Sequence, residues 1–234
     1  MKKFLVLLGV ILLGTAAFAD VMYVETNLNM DNFWEKNGKD EQKVLNIGHR
    51  ILYKNKISKR IPIIMNRSTT EINATSQIFD KTVTVYSGIL PYIDSDDELA
   101  AVMAHEIAHS VEAYGGPIKY IAMNVNSKSY EIKADLKGID YMVNAGYNPI
   151  AAIIVATKIY PEPMWDWGFT STHPKGSKRV MAMYKYIYKK YPQFLNSDMT
   201  HSIYYRNFEF AMEREIKGFL AKEKSRKYQK DGDL

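Results

Sequence analysis

The pentapeptide His105-Glu106-Ile107-Ala108-His109 constrains this chain more than any other segment. On a helix of 3.6 residues per turn, side chains four apart differ by about 40° around the axis, so both imidazoles leave the same face. Two neutral imidazoles in that relation can bind one zinc ion, with Glu106 beside them within reach of a water. The flanks support a helix: Ser95 followed three residues later by Glu98 is a capping box, and acidic residues from Asp94 to Glu98 suit the positive helix end. Leu99, Ala100, Val102, Met103, Ile107 and Ala108 make the helix apolar on most sides up to about Ala113, before Gly115-Gly116, which predicts burial. Two histidines and a glutamate in a buried helix cost several kcal/mol unless they find partners, and a metal supplies them.

A catalytic zinc site takes three protein ligands and keeps one position open. The chain has no cysteine and five histidines, so its ligands must be imidazole and carboxylate. The same absence excludes disulfides, cysteine-based zinc fingers, iron–sulfur clusters, thiol nucleophiles and a lipid-modified N-terminal cysteine. No third histidine follows at close spacing. The candidate is Glu131, on a second helix from about Ser129 to Ala145 stopped by Gly146. Glu131 and Asp135 share a face of that helix. Side-by-side packing would make Glu131 the third ligand and place Asp135 to orient a ligating histidine through its other ring nitrogen. His49 and His201 have no ligand-spaced partner and are read as structural.

Around this centre the pattern predicts a helix over Asp40–Tyr53, strands over Ile61–Met65 and Thr82–Tyr86, and a turn-like stretch from Asn66 to Ser76. A third helix starts near Pro149, a loop covers Trp165–Gly176, and further helices cover Arg179–Tyr191 and His201–Lys224. Phe208, Phe210, Met212 and Phe219 are expected to pack the tail onto the domain. Lys2 and Lys3, an apolar run from Phe4 to Leu13 and Ala17-Phe18-Ala19 predict a bacterial-type signal peptide over residues 1–19. Residues 20–234 then form one domain, periplasmic or secreted, with no later stretch of transmembrane length. Loss of Lys2 and Lys3 leaves 29 basic and 26 acidic residues, a charge of +3. The excess sits in the tail at Lys222, Lys224, Arg226, Lys227 and Lys230, and no nucleic-acid motif accompanies it.

The ordered set His105-Glu106-x-x-His109, Glu131-x-x-Ala134-Asp135, then Thr172-His173-Pro174 with Arg179 resembles the HtpX and CAAX-prenyl-protease (Ste-type) family of zinc metallopeptidases. Asn73-Ala74, Ser87-Gly88-Ile89-Leu90, Asp97 to Val102 and Ala145 to Pro149 also resemble family segments, although Thr75 replaces an aromatic. The likeness covers about residues 40–191 and leaves a helical tail from 201 to 234. It implies an α+β, mainly helical, gluzincin-type zincin fold with a small sheet over the active-site helix. It also implies a metalloendopeptidase that uses one zinc ion per chain and acts on polypeptides. Glu106 would be general base to a zinc-activated water, and His173 would donate to the oxyanion. Arg179 would hold its loop or pair with Asp135, and Trp165 and Trp167 would lie near the cleft. Zincins bind extended peptides along a sheet edge, which by analogy assigns Thr82, Val83, Thr84, Val85 and Tyr86 to substrate binding. Membrane members carry transmembrane helices between the two motifs, where this chain has only Gly115 to Lys128. That implies a small exported type, with a role in envelope quality control. The competing reading is a binding or chaperone-like protein, latent behind residues 20–40 or the tail.

Overall fold

The computed structural model describes residues 30–77, 79–116, 127–159 and 176–232. The leader and its cleavage site, Trp165, Trp167 and the Thr172-His173-Pro174 motif lie outside the described residues.

Helix α1, Met30–Lys54, turns Val44, Ile47 and Ile51 inward at helical spacing. It begins ten residues before the expected start, because residues 30–39 lack the apolar periodicity that marks the rest. Three strands follow: β1, Ile63–Asn66; β2, Ala74–Ser76; and β3, Val83–Tyr86. Their order is β1-β3-β2, with β3 parallel to β1 and antiparallel to β2. Strand β2 falls where a turn was expected. It has three small or polar residues, and its extended form comes from pairing with β3, extended by bonds from Tyr86 N–H to Asn73 and from Gln77 N–H to Thr82.

The central place of β3 overturns the expectation for Thr82, Val83, Thr84, Val85 and Tyr86. Their backbone faces β1 on one side and β2 on the other, and Val83 and Val85 are fully buried. A strand with both edges occupied cannot add a peptide.

Helix α2, Asp96–Ala113, starts at Ser95, whose hydroxyl accepts the Glu98 N–H at 3.2 Å. It is buried around most of its circumference: Leu99, Ala100, Met103, Ala104, Ile107 and Ala108 are all closed to solvent. Helices α3, Ser127–Asn144, and α4, Ile150–Ile159, follow, then α5, Gly176–Lys190. The tail forms two short 3₁₀ turns and helices α6, Ile203–Ala211, and α7, Glu213–Gly232. Phe208 and Phe219 pack inward as expected, but Phe210 is 86% exposed. Phe208 points inward, and its neighbour but one on a helix lies about 200° round the axis.

Two apolar cores result. One joins α1, the sheet, α2 and parts of α3 and α4; the other joins α3, α4, α5, α6 and α7. Helix α3 serves both, through Met142 in the first and Ile139 in the second.

Gly88 fixes how the turn after β3 meets the segment leading into β2. Its N–H bonds to Ser68, and a Cβ there would lie 2.4 Å from the Glu71 carbonyl oxygen and 2.7 Å from that of Thr69. These obstacles are backbone and cannot rotate away. Gly88→Ala is expected to cost about 1–3 kcal/mol, read as a lower urea midpoint.

Candidate metal centre

Three side chains from two helices converge. His105 Nε2 and His109 Nε2 lie 3.1 Å apart, Glu131 Oε2 is 3.5 Å from His105 Nε2, and Glu131 Oε1 is 3.3 Å from His109 Nε2. A tetrahedral zinc ion with bonds of about 2.0–2.2 Å separates its ligands by about 3.3–3.5 Å. Each imidazole nitrogen thus has a carboxylate oxygen, a different one for each, at about the ligand spacing of one zinc ion, and a borderline-soft cation such as zinc suits two imidazoles and a carboxylate. All three side chains keep a little solvent contact, 14–18%, so the cluster is reachable.

The second ring nitrogen of His105 is engaged as well. Its Nδ1 lies 2.9 Å from Asp135 Oδ1, with the ring N–H bent off the ideal hydrogen-bond direction. A donor Nδ1 leaves Nε2 with its lone pair free for a metal. Asp135 is in turn gripped by Arg179 of α5, whose Nε and Nη2 each donate to one carboxylate oxygen at 2.7 Å. Arg179 Nη1 also comes within 3.2 Å of Glu131 Oε2. The guanidinium thus spans both carboxylates of the α3 face.

Gly138 permits this convergence. A Cβ there would sit 3.2 Å from His105 N and 3.3 Å from Ala104 C, so α3 crosses the α2 backbone at very close range. Gly138 lies one turn beyond Asp135 on the same face, a spacing that signals close approach, although a lone glycine in a helix carries little weight by itself.

The charges respond to this packing. Burial pushes the Glu106 carboxyl above its usual range, against the pull of both histidines and a Ser76 hydrogen bond. Burial also acts to raise Glu131, but hydrogen bonds from His105 and His109 hold it far below the ordinary carboxylate value. For Asp135 the same upward push of burial is outweighed by Arg179 first and His105 second. Ser76, at the end of β2, gave no signal in the sequence because the strand itself was invisible there.

Burial alone would lower His105, yet Asp135 and then Glu131 reverse the sign and lift it from 6.5 to about 10. A metal takes imidazole only in its neutral form, so near neutral pH binding must expel this proton. Zinc affinity is expected to rise about tenfold per pH unit between pH 7 and 9. Calorimetry in buffers of different ionisation heat should register about one proton released; an affinity flat across this range would contradict the arrangement.

A small sheet beside a buried helix that carries two histidines, with the acidic ligand on a second helix, defines a zincin-like α+β domain. The comparisons with known proteins agree. The family model of peptidase family M48 matches residues 39–114 and 113–187, and the chain belongs to that family. It is similar to the mitochondrial metalloendopeptidase OMA1 of Schizosaccharomyces pombe, 25% identical over 160 residues, 51% of this chain and 45% of that protein. It is similar also to the mitochondrial metalloendopeptidase OMA1 of Saccharomyces cerevisiae, 26% identical over 162 residues, 54% and 47% of the two chains. The chain spans about half the length of these curated relatives.

Proposed function

We propose that the chain is an exported metalloendopeptidase of the small, HtpX-like type, with one zinc ion held by His105, His109 and Glu131. The observation that carries this reading is the convergence of those three donors beside Glu106, in a member of peptidase family M48. The fungal relatives bear the name metalloendopeptidase, and the same class of reaction is assigned here.

Zinc, when bound, polarises a peptide carbonyl and lowers the pKa of water towards about 7. The chain supplies the rest. Glu106 accepts a proton from the attacking water and passes it to the leaving amine. Its raised pKa makes it a better base than a surface carboxylate. Asp135, clamped by Arg179, keeps the His105 ring oriented. His173 is proposed to donate to the developing oxyanion, on the strength of its motif alone. Extended peptide would lie along β2, because Ala74–Ser76 pair with β3 on one side only among the described residues. The leader over residues 1–19 points to a periplasmic or secreted enzyme, and protein quality control in the envelope is the role proposed for it.

Glu106→Gln tests the chemistry. Cleavage of casein should fall by about 10²–10⁴-fold, the usual worth of a general base, while the protein retains one zinc per chain. Undiminished cleavage would end this mechanism. An active leaderless wild type would refute the alternative of a latent, binding-only protein.

A further inference from the structure

One end of the fold carries a concentration of positive charge that the metal centre does not use. The end of α1 and the chain from it to β1 hold Lys54, Lys56, Lys59 and Arg60, all exposed. Lys81, in the turn between β2 and β3, joins them. Its ammonium lies 5.7 Å from the centre of the Tyr114 ring, and that of Lys59 lies 4.7 Å from it. Tyr114 closes the C-terminal end of α2, and its hydroxyl donates to the Arg60 carbonyl oxygen. Three separate parts of the chain are thereby tied together at one place. They contribute five cations and two carboxylates, Asp80 and Glu112.

The backbone does not account for lysine at two of these positions. Lys56 and Lys81 have φ of 52° and 64°, and among the described residues they are the non-glycine residues in the left-handed region. A glycine adopts that conformation without the clash a Cβ brings. Apolar groups stand in water beside the cations. Phe79, two residues before Lys81 at the same turn, is 91% exposed, and Tyr114 is 37% exposed.

The arrangement selects among occupants. Four cations strung along an exposed connector present charge as a strip rather than as a point, which suits a surface better than one small anion. Phe79 projects from a turn, so a protein partner would need a pocket matched to it. A fluid lipid surface needs no such match. Its headgroup phosphates attract ammonium groups over about 8 Å at physiological salt. Its acyl boundary takes in a projecting benzyl ring, and a tyrosine is at home at headgroup level.

We propose that this end of the fold docks on an anionic phospholipid surface. Phe79 enters the acyl boundary, and Lys56, Lys59, Arg60 and Lys81 lie against the headgroup phosphates. A single aromatic group and a few cations make the attachment peripheral and reversible. Docking turns the C-terminal end of α2 towards the bilayer. None of these residues belongs to the metal cluster, so the surface stands whatever the fate of the endopeptidase reading.

The test uses the leaderless chain, because the apolar leader would bind lipid by itself. In sedimentation, vesicles of mixed phosphatidylglycerol and phosphatidylcholine should bind it about 100-fold more strongly than phosphatidylcholine alone, the worth of three net cations. The preference should shrink as salt rises. Lys56→Gly combined with Lys81→Gly suits both backbones and should weaken binding about fivefold per cation, about 25-fold together. Phe79→Ser should weaken it about tenfold. Lys222→Gln with Lys224→Gln, on α7, should change it less than about twofold, although the tail is also basic. Unchanged melting temperatures show that the variants keep their fold. Phe79→Trp should add a tryptophan emission that shifts to the blue on anionic vesicles, beyond any change in the wild type. Equal binding to both kinds of vesicle, or a preference unmoved by the paired glycine variant and by Phe79→Ser, overturns the proposal. So does a preference lost only in the α7 variant, or displacement from anionic vesicles by polyglutamate or single-stranded DNA at equal charge.

Discussion

The clamp of Arg179 on Asp135 and Glu131 is the interaction on which the site depends. The two carboxylates sit one turn apart on α3, where like charges repel. Arg179 donates twice to Asp135 and approaches Glu131 at 3.2 Å, so one guanidinium offsets both. Asp135 is only 7% exposed, and a buried carboxylate stays ionised only if something opposes desolvation. Taking one partner from such a pair costs about 3–5 kcal/mol, because the other charge is left buried and uncompensated. An ionised Asp135 can hold Nδ1 of His105, and the orientation of the metal-facing nitrogen follows. A contact between α3 and α5 thus determines the geometry of a side chain on α2.

Helix α2 shows how apolar packing and polar contacts divide the work. Its apolar circumference sinks it into the core, a largely non-directional force. Its few polar groups then set which neighbour lies where. At its start Glu98, 4% exposed, accepts from Lys158 of α4 at 2.7 Å and from the Asp94 N–H. Lys158 also reaches Asp94 and lies over the Tyr204 ring, which ties α4 and α6 to the same helix end. Near its other end the histidines engage α3. With α4 pinned at one end and α3 at the other, the small residues Ala152, Ala156 and Gly138 come to face a common space beside Glu106.

What was legible in the sequence was local. The spacing of His105 and His109, of Glu131 and Asp135, and the cap at Ser95 follow from helix period and terminal chemistry, which need no knowledge of distant residues. The order of motifs left Arg179 two roles, holding its loop or pairing with Asp135, and the pairing is present in the fold. What was hidden depends on partners far along the chain. Ala74-Thr75-Ser76 is a strand only because β3 lies beside it, and Thr82–Tyr86 read as a strand without any sign that it would be central. The outward Phe210 is of the same kind: hydrophobicity suggested burial, while the break between α6 and α7 and the phase set by Phe208 decided against it. Gly138 was visible as a residue, but its meaning lies in the distance to His105 N, a tertiary quantity.

Charge balance explains why the cluster favours a divalent cation. Glu106, Glu131 and Asp135 bring three carboxylates into a small volume, and Arg179 returns one positive charge. With both imidazoles neutral the sum is −2. Such an excess in a half-buried place is costly, and the rise of the His105 pKa to about 10 is its direct consequence: the cluster recruits a proton. A divalent ion bound by the same nitrogens and Glu131 brings the sum to zero with no proton at all. The proton and the metal therefore compete for one ring nitrogen. The aspartate that raises His105's affinity for a proton also orients its lone pair and strengthens it as a ligand, so acidification works against the metal at the residue best placed to hold it.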